Sequence, residues 1–172
     1  AQEIARLLPE FIAVAQSMPE QTFVLIRSAS SVPVWPDRSL PANVEVFTGE
    51  LKDGIKHCAA ALVCSGTATL EVALLGVPQL VVYRANPISL AIAKRFVKIS
   101  YFSLPNLILD AAALPELLQE DARAEALVQR LGALLLDPSA QLDAYAQLRQ
   151  LLEQKDPAAS AAQPILTIAS QS

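Results

Sequence analysis

Residues 60–71 read Ala60-Ala61-Leu62-Val63-Cys64-Ser65-Gly66-Thr67-Ala68-Thr69-Leu70-Glu71. The first five form an uncharged apolar run of strand length, and the small residues Ser65 and Gly66 break it before helical spacing takes over. Gly76 closes that helix, with Pro78 two residues beyond as the usual stop signal. A second apolar strand, Gln79 to Tyr83 (QLVVY), follows at once. Strand, small-residue turn, helix, strand is the unit of a parallel sheet, because parallel neighbours need a crossover and a helix usually supplies it.

The same alternation extends in both directions. Ile4, Leu7, Leu8, Phe11, Ile12 and Ala15 recur at helical spacing with Pro9 expected to kink the helix, and Thr22 to Ile26 (TFVLI) reads as a buried strand. Residues 28–43 carry Pro33, Pro36 and Pro41 and read as a loop before the strand Val44 to Phe47. A helix is expected over Leu51 to Ala59. Beyond Tyr83 the pattern predicts helices over Ser89 to Val97, Leu114 to Gln119, Arg123 to Leu136 and Ala140 to Glu153, with a turn at Pro105. The fold class is therefore α/β, a Rossmann-like parallel sheet with helices on both faces.

Length and composition agree with one domain over residues 1–172. The chain is 53% hydrophobic and 17% charged, with 13 basic and 17 acidic residues, which excludes a disordered tail or a basic nucleic-acid arm; no nucleic-acid partner is expected. Two cysteines in apolar sequence, Cys58 and Cys64, read as buried thiols of a reducing compartment, and a single histidine, His57, makes a structural zinc site improbable. The uncharged run between Lys56 and Glu71 falls short of the ~20 residues that span a bilayer. There is no initiator Met, no signal peptide is visible, and the first residues already lie in a helical pattern, so the sequence reads as a fragment.

Asp156 to Gln163 (DPAASAAQ) reads as a linker, and Pro164 to Ala169 (PILTIA) as one more buried strand. Placed ahead of residue 1, that strand would complete the strand-loop-helix opening of a nucleotide-binding domain. A circular permutation is the favoured reading, and a natural extra strand on the sheet edge is the other.

Chemistry is expected where the run 65–71 turns from strand to helix, since ligands of open parallel sheets bind outside the carboxyl ends of the strands. Small residues let a phosphate approach the backbone, and the first-turn N–H groups and helix dipole favour an anion. Ser65, Thr67 and Thr69 carry hydroxyl donors, and Gly66 and Ala68 leave room. Glu71, the only charge between Lys56 and Arg84, can accept hydrogen bonds from ribose hydroxyls; the plain alternative is an N-cap serine and a solvated helix glutamate.

Between Val72 and Leu109 lie four basic residues, Arg84, Lys94, Arg95 and Lys98, and no acidic one. That local charge among Leu90, Ile92, Phe96 and Val97 suits a phosphate or an anionic membrane surface, though an ordinary amphipathic helix has the same composition. Arg84, at a strand end, is the member expected to face a ligand. Ser103-Leu104-Pro105-Asn106 reads as a turn whose Asn either caps a helix or meets a ligand, and Trp35 reads as cover for the sheet edge.

Taken together, SGTATLEVALLGVPQLVVYR, AKRFVK, YFSLPN and PELLQ resemble the carboxy-terminal domain of bacterial lipid-A-disaccharide synthases, and AQEIARLLPEF resembles the family's E-I-x-R-L-L-P segment. The resemblance implies one half of a GT-B glycosyltransferase: two Rossmann-like domains, the second holding the nucleotide. It implies transfer of diacylglucosamine from UDP-diacylglucosamine to diacylglucosamine 1-phosphate, without a cofactor, at the cytoplasmic face of the inner membrane. Ser65 to Thr69 would then lie near the diphosphate and Glu71 near the ribose, with Arg84 and Asn106 lining the cleft. The implied partners are UDP or the UDP-linked donor, an amino-terminal GT-B domain carrying the catalytic base, and a second copy in a homodimer.

Departures accompany the match. Where the family commonly reads L-L-A-G-R-E after its Asn, this chain has Leu107-Ile108-Leu109-Asp110-Ala111-Ala112, without the Arg and Glu. The family's P-G-S-R loop would fall on Ala169-Ser170-Gln171-Ser172, without its Gly or Arg. No catalytic residue is assigned within the chain, and alone it is expected to be inactive. A non-catalytic Rossmann-like scaffold that has lost nucleotide affinity is the alternative function.

Overall fold

A computed structural model describes residues 2–27, 40–64, 66–84 and 101–155. Helix α1 (Gln2–Ser17) leads to strands β1 (Phe23–Arg27) and β2 (Val44–Thr48), then α2 (Leu51–Ile55), β3 (Ala61–Cys64), α3 (Thr67–Leu74) and β4 (Gln79–Tyr83). Helix α4 (Leu104–Leu109), strand β5 (Glu116–Leu118), a 3-10 turn (Gln119–Asp121), α5 (Ala124–Leu136) and α6 (Ser139–Lys155) complete the described elements. Among the described residues every strand pair is parallel: β1 with β2, and β4 between β3 and β5. The class is the expected α/β, and the described strands form two ladders.

Strand parity explains the layers. Leu80 and Val82 point to one face, where they meet Leu7 and Val14 of α1 and Leu127, Leu131 and Leu134 of α5. Val81 points the other way, onto Ala73 of α3 and Tyr145 and Leu148 of α6. Beside it, Val63 of β3 packs with Ile55, Val72, Val77 and Ile26. A strand with helices over both faces has no solvent side, which is why QLVVY is almost continuously apolar.

Three sequence expectations are corrected. The helix expected over Leu51 to Ala59 ends at Ile55, where the Cys58 N–H turns back to the Ile55 carbonyl. Within that helix Gly54 sits so close to the sheet that a Cβ would lie 2.8 Å from the Phe47 ring and 2.9 Å from Ile26, so helix and strands approach at glycine distance. The stretch read as a turn at Pro105 is α4: Pro105 occupies its first turn, where a missing N–H costs nothing. The helix expected over Leu114 to Gln119 is instead β5 and a 3-10 turn, because Val81, Val82 and Tyr83 offer a parallel edge to Glu116, Leu117 and Leu118. Pairing overrides a helical spacing only a few residues long.

Pro9 lies inside the continuous α1. At the far end of α1, the Asn43 amide donates to the carbonyls of Ala15, Met18 and Gln21, at 2.9, 3.2 and 3.0 Å, and ties the helix end to the approach to β2. The helix expected over Ser89 to Val97, the linker 156–163, the strand Pro164 to Ala169 and Trp35 lie outside the described residues, so the single-domain reading of 1–172 remains an expectation.

Candidate functional site

The turn between β3 and α3 is built around Gly66. Its φ of 134° and ψ of −162° lie in a region essentially closed to residues with a Cβ. A Cβ there would meet nothing within 4 Å, so dihedral angles and not crowding demand glycine, and the space above the turn is open. Gly66 is also the N-cap of α3, with no side-chain cap; the Thr69 N–H turns back to the Gly66 carbonyl at 3.2 Å, so the first-turn N–H groups a ligand could take are those of Thr67 and Ala68. Thr67 and Glu71 are exposed and Ala68 is partly buried. Ser65 lies outside the described residues.

Thr69 differs from its expected role. It is fully buried, and its hydroxyl donates to the Gly66 carbonyl at 2.7 Å, so it braces the turn from inside and presents no donor to a ligand. Behind it, Gln79 Nε2 donates to the Thr69 carbonyl at 2.9 Å. The Gln141 amide in turn takes both backbone groups of Gln79, accepting from its N–H and donating to its carbonyl, each at 2.9 Å. It acts as a strand partner where β5 does not reach. The Tyr145 hydroxyl, fully buried, lies 2.9 Å from Gln141 Oε1 and 3.2 Å from the Val77 carbonyl, and burial pushes its pKa up to about 12. Sequence reasoning missed this buttress. A polar Gln opening an apolar strand, and a Gln–Tyr pair one helical turn apart, were its only traces.

Arg84 is committed elsewhere. Its parity follows Leu80 and Val82, which sends it to the α1 face and away from α3. Its Nη1 donates to Glu10 Oε1 at 3.0 Å and approaches the Arg6 carbonyl at 3.4 Å. Glu10 Oε2 accepts the Ala124 N–H at 2.9 Å, so one carboxylate pairs an arginine and caps α5. The expected ligand contact is, in this structure, an internal ion pair.

Asn106 is buried and fully used. Its amide donates to the Leu114 carbonyl and to Glu116 Oε1, both at 2.9 Å, and its Oδ1 accepts the Leu114 N–H at 2.8 Å. Glu116 also accepts from the N–H groups of Phe102 and Ser103, at 2.9 and 2.8 Å, and from the Ser103 hydroxyl at 2.7 Å. The SLPN segment therefore locks α4 to β5. An open hollow of about 380 Å³ lies against this lock, lined among others by Tyr101, Phe102, Ala112 and Leu118. Asp110 closes α4 in the left-handed conformation, φ 50°, one of the few residue types that tolerate it. Lys94, Arg95 and Lys98 lie outside the described residues. Among the described residues no His, Cys, Asp and Glu cluster could hold a metal ion, and no helix is long and apolar enough to cross a membrane.

The fold, parallel strands flanked by helices on both faces, is shared with glycosyltransferases of the GT-B class. The chain superposes on the glycosyltransferase SnogD from Streptomyces nogalater with a TM-score of 0.51 at 19% identity, covering 91% of this chain and 39% of that one. It superposes on the spinosyn forosaminyltransferase SpnP with the same TM-score at 20% identity, covering 92% and 37%. At such identity the shared property is the fold.

Within that class the chain belongs to the lipid-A-disaccharide synthetase family, whose sequence model matches residues 1–168. It is 37% identical over 175 residues to the lipid-A-disaccharide synthase of Pseudomonas entomophila, covering 96% of this chain and 46% of that protein. The enzyme of the same name from Rhodospirillum centenum is 33% identical over 182 residues, covering 96% and 45%. The chain thus spans about half the length of these relatives. The match continues in order through residue 168, and so lends nothing to a relocation of residues 164–169 from ahead of α1.

Proposed function

We propose that this chain is the UDP-sugar-binding half of a lipid-A-disaccharide synthase, the enzyme that transfers diacylglucosamine from its UDP carrier to diacylglucosamine 1-phosphate. The observation that carries the reading is the turn at Gly66: a glycine-only conformation, open space above it, an uncapped helix start and an exposed Glu71 one turn further on. The donor diphosphate rests on the first-turn N–H groups of Thr67 and Ala68, with the Thr67 hydroxyl as a further donor and Glu71 accepting from the ribose. Binding and orientation of the donor are this half's contribution, and the base that activates the acceptor hydroxyl comes from an amino-terminal domain. Lys94, Arg95 and Lys98 meet the anionic cytoplasmic face of the inner membrane, and the whole enzyme assembles as a homodimer.

Calorimetric titration with UDP tests the reading. Saturable binding, weakened about tenfold by Glu71→Ala, is expected (about 1.4 kcal/mol). The purified chain is expected to make no disaccharide unless the amino-terminal domain is added. A second reading, a scaffold without nucleotide affinity, draws on the commitment of Arg84 to Glu10 and of Asn106 to Leu114 and Glu116. No UDP binding by a folded chain would favour it.

A further inference from the structure

Helix α3 is held at both ends by α6. At its carboxyl end the Arg149 guanidinium donates to the Leu74 carbonyl at 3.0 Å, where a cation suits the negative end of the helix dipole. A Cβ on Gly76, whose φ is 78°, would lie 3.2 Å from that guanidinium. At the amino end the hold is indirect and passes through Thr69. The Gly66 carbonyl accepts both the Thr69 hydroxyl, at 2.7 Å, and the Thr69 N–H, at 3.2 Å. The Thr69 carbonyl accepts Gln79 Nε2 at 2.9 Å, and that same nitrogen lies 3.3 Å from the Tyr145 hydroxyl. Gln141, one helical turn ahead of Tyr145, holds the Gln79 backbone. An unbroken path of hydrogen bonds thus runs from α6 through the first residue of β4 to the turn at Gly66.

Stability alone does not account for Gln79. It is fully buried, it opens a strand that is otherwise Leu-Val-Val-Tyr, and its Oε1 has no hydrogen-bond partner among the described residues. An orphaned buried acceptor is destabilising, whereas a methionine of similar length would fill the same space without one. What methionine could not do is hold the Thr69 carbonyl. Packing does not fix the turn by itself either, because Gly66 has no side chain, a Cβ there would meet nothing within 4 Å, and no side chain caps the helix. We infer that Gln79, with Gln141 and Tyr145 behind it, is a positioning residue for the nucleotide site: it sets the direction in which the Thr67 and Ala68 N–H groups point. The inference rests on the reading of that turn as the seat of the diphosphate. A hydrogen bond weakens steeply as it bends, so donors held in place before the ligand arrives bind it without a further ordering cost. Thr69 belongs to the same device, its hydroxyl turned inward to fix the carbonyl of the residue ahead of both donors.

The test uses the full chain. Gln79→Met and Thr69→Val each remove one link of the path, Thr69→Ser keeps the hydroxyl, and Leu131→Ala, in the apolar cluster on the other face of β4, is the control for lost stability. By NMR without nucleotide, the Thr67 and Ala68 amide signals are expected to shift in Gln79→Met and Thr69→Val. The Thr69 amide, bonded to the Gly66 carbonyl, is expected to exchange about tenfold faster in both. Thr69→Ser and Leu131→Ala should show neither change. With UDP, the dissociation constant is expected to rise about three- to tenfold in Gln79→Met and Thr69→Val, the worth of one hydrogen bond, and to stay within about twofold in the other two. Equal changes in Gln79→Met and Leu131→Ala would overturn the positioning role, as would a Thr69→Ser that fails to restore the signals lost in Thr69→Val. So would unaltered first-turn signals in a folded Gln79→Met; if that variant does not fold, the Thr69 pair decides. The NMR readout needs no UDP, so a wild-type chain that binds none overturns the nucleotide reading, while altered first-turn signals still uphold the positioning of the turn.

Discussion

At the start of α3, Gly66, Thr67 and Glu71 stand exposed, whereas Arg84 and Asn106 have their polar atoms taken up by Glu10, Leu114 and Glu116. Both groups fall in segments that resemble the same family, and both consist of residue types suited to phosphate or sugar. The difference is what each polar group meets once the chain folds. A buried amide with three satisfied bonds has nothing left to offer a ligand without first losing a partner, and an unsatisfied buried group costs roughly 1–3 kcal/mol. Resemblance finds candidate residues; hydrogen-bond accounting separates those that face outward from those that hold the fold together.

The largest effect that can break this contrast is at Asn106. Asn106→Leu strands the Leu114 N–H and carbonyl and part of the Glu116 network, and a loss of about 3 kcal/mol in urea unfolding is expected. Wild-type stability in that variant would mean that Asn106 is not a structural lock. Next comes the buttress behind α3. Tyr145 has a folded-state pKa of about 12 against an ordinary value of 10, so the neutral form is favoured by folding. Its contribution is fully present below pH ~10 and is lost as pH rises through 12, in total about 2–3 kcal/mol. Tyr145→Phe is expected to flatten that alkaline limb of the stability profile.

A smaller effect sharpens the exposed side of the contrast. Gly66→Ala forces a Cβ into a glycine-only conformation at a cost of about 1–3 kcal/mol, and UDP affinity is expected to fall with it. Crowding cannot be the cause, because the space is open. The smallest effects are the most discriminating. Arg84→Met removes a partly exposed ion pair worth ~1 kcal/mol or less and should leave UDP affinity within about twofold. Glu71→Ala should leave unfolding within about 0.5 kcal/mol while it weakens UDP. If Arg84→Met instead abolishes UDP binding with little change in stability, the guanidinium leaves Glu10 for the ligand and the contrast collapses.

Much of the fold was legible. β4 was read to the residue, and β1, β2, β3, α5 and α6 to within one or two residues, because buried parallel strands and amphipathic helices leave strong periodic signals. β5 and α4 were not. Three residues carry no period of their own, and the choice between strand and helix for Glu116 to Leu118 is made by the free edge of β4. In the site, Gly66 and Glu71 were legible as a glycine before a helix and an isolated charge. The roles of Thr69, Arg84 and Asn106 were not, because their partners lie 3, 74 and 8 residues away and are chosen by packing.

The sequence by itself determined the α/β class, the glycine turn at the head of α3 and the family, since these rest on local pattern and on motifs in order along the chain. Only the tertiary structure decided that Thr69 turns inward, that Arg84 belongs to Glu10, and that Asn106 clamps α4 to β5. Each of those depends on which groups the packed core brings within hydrogen-bonding distance, whether 3, 8 or 74 residues apart, and local sequence pattern does not encode that choice.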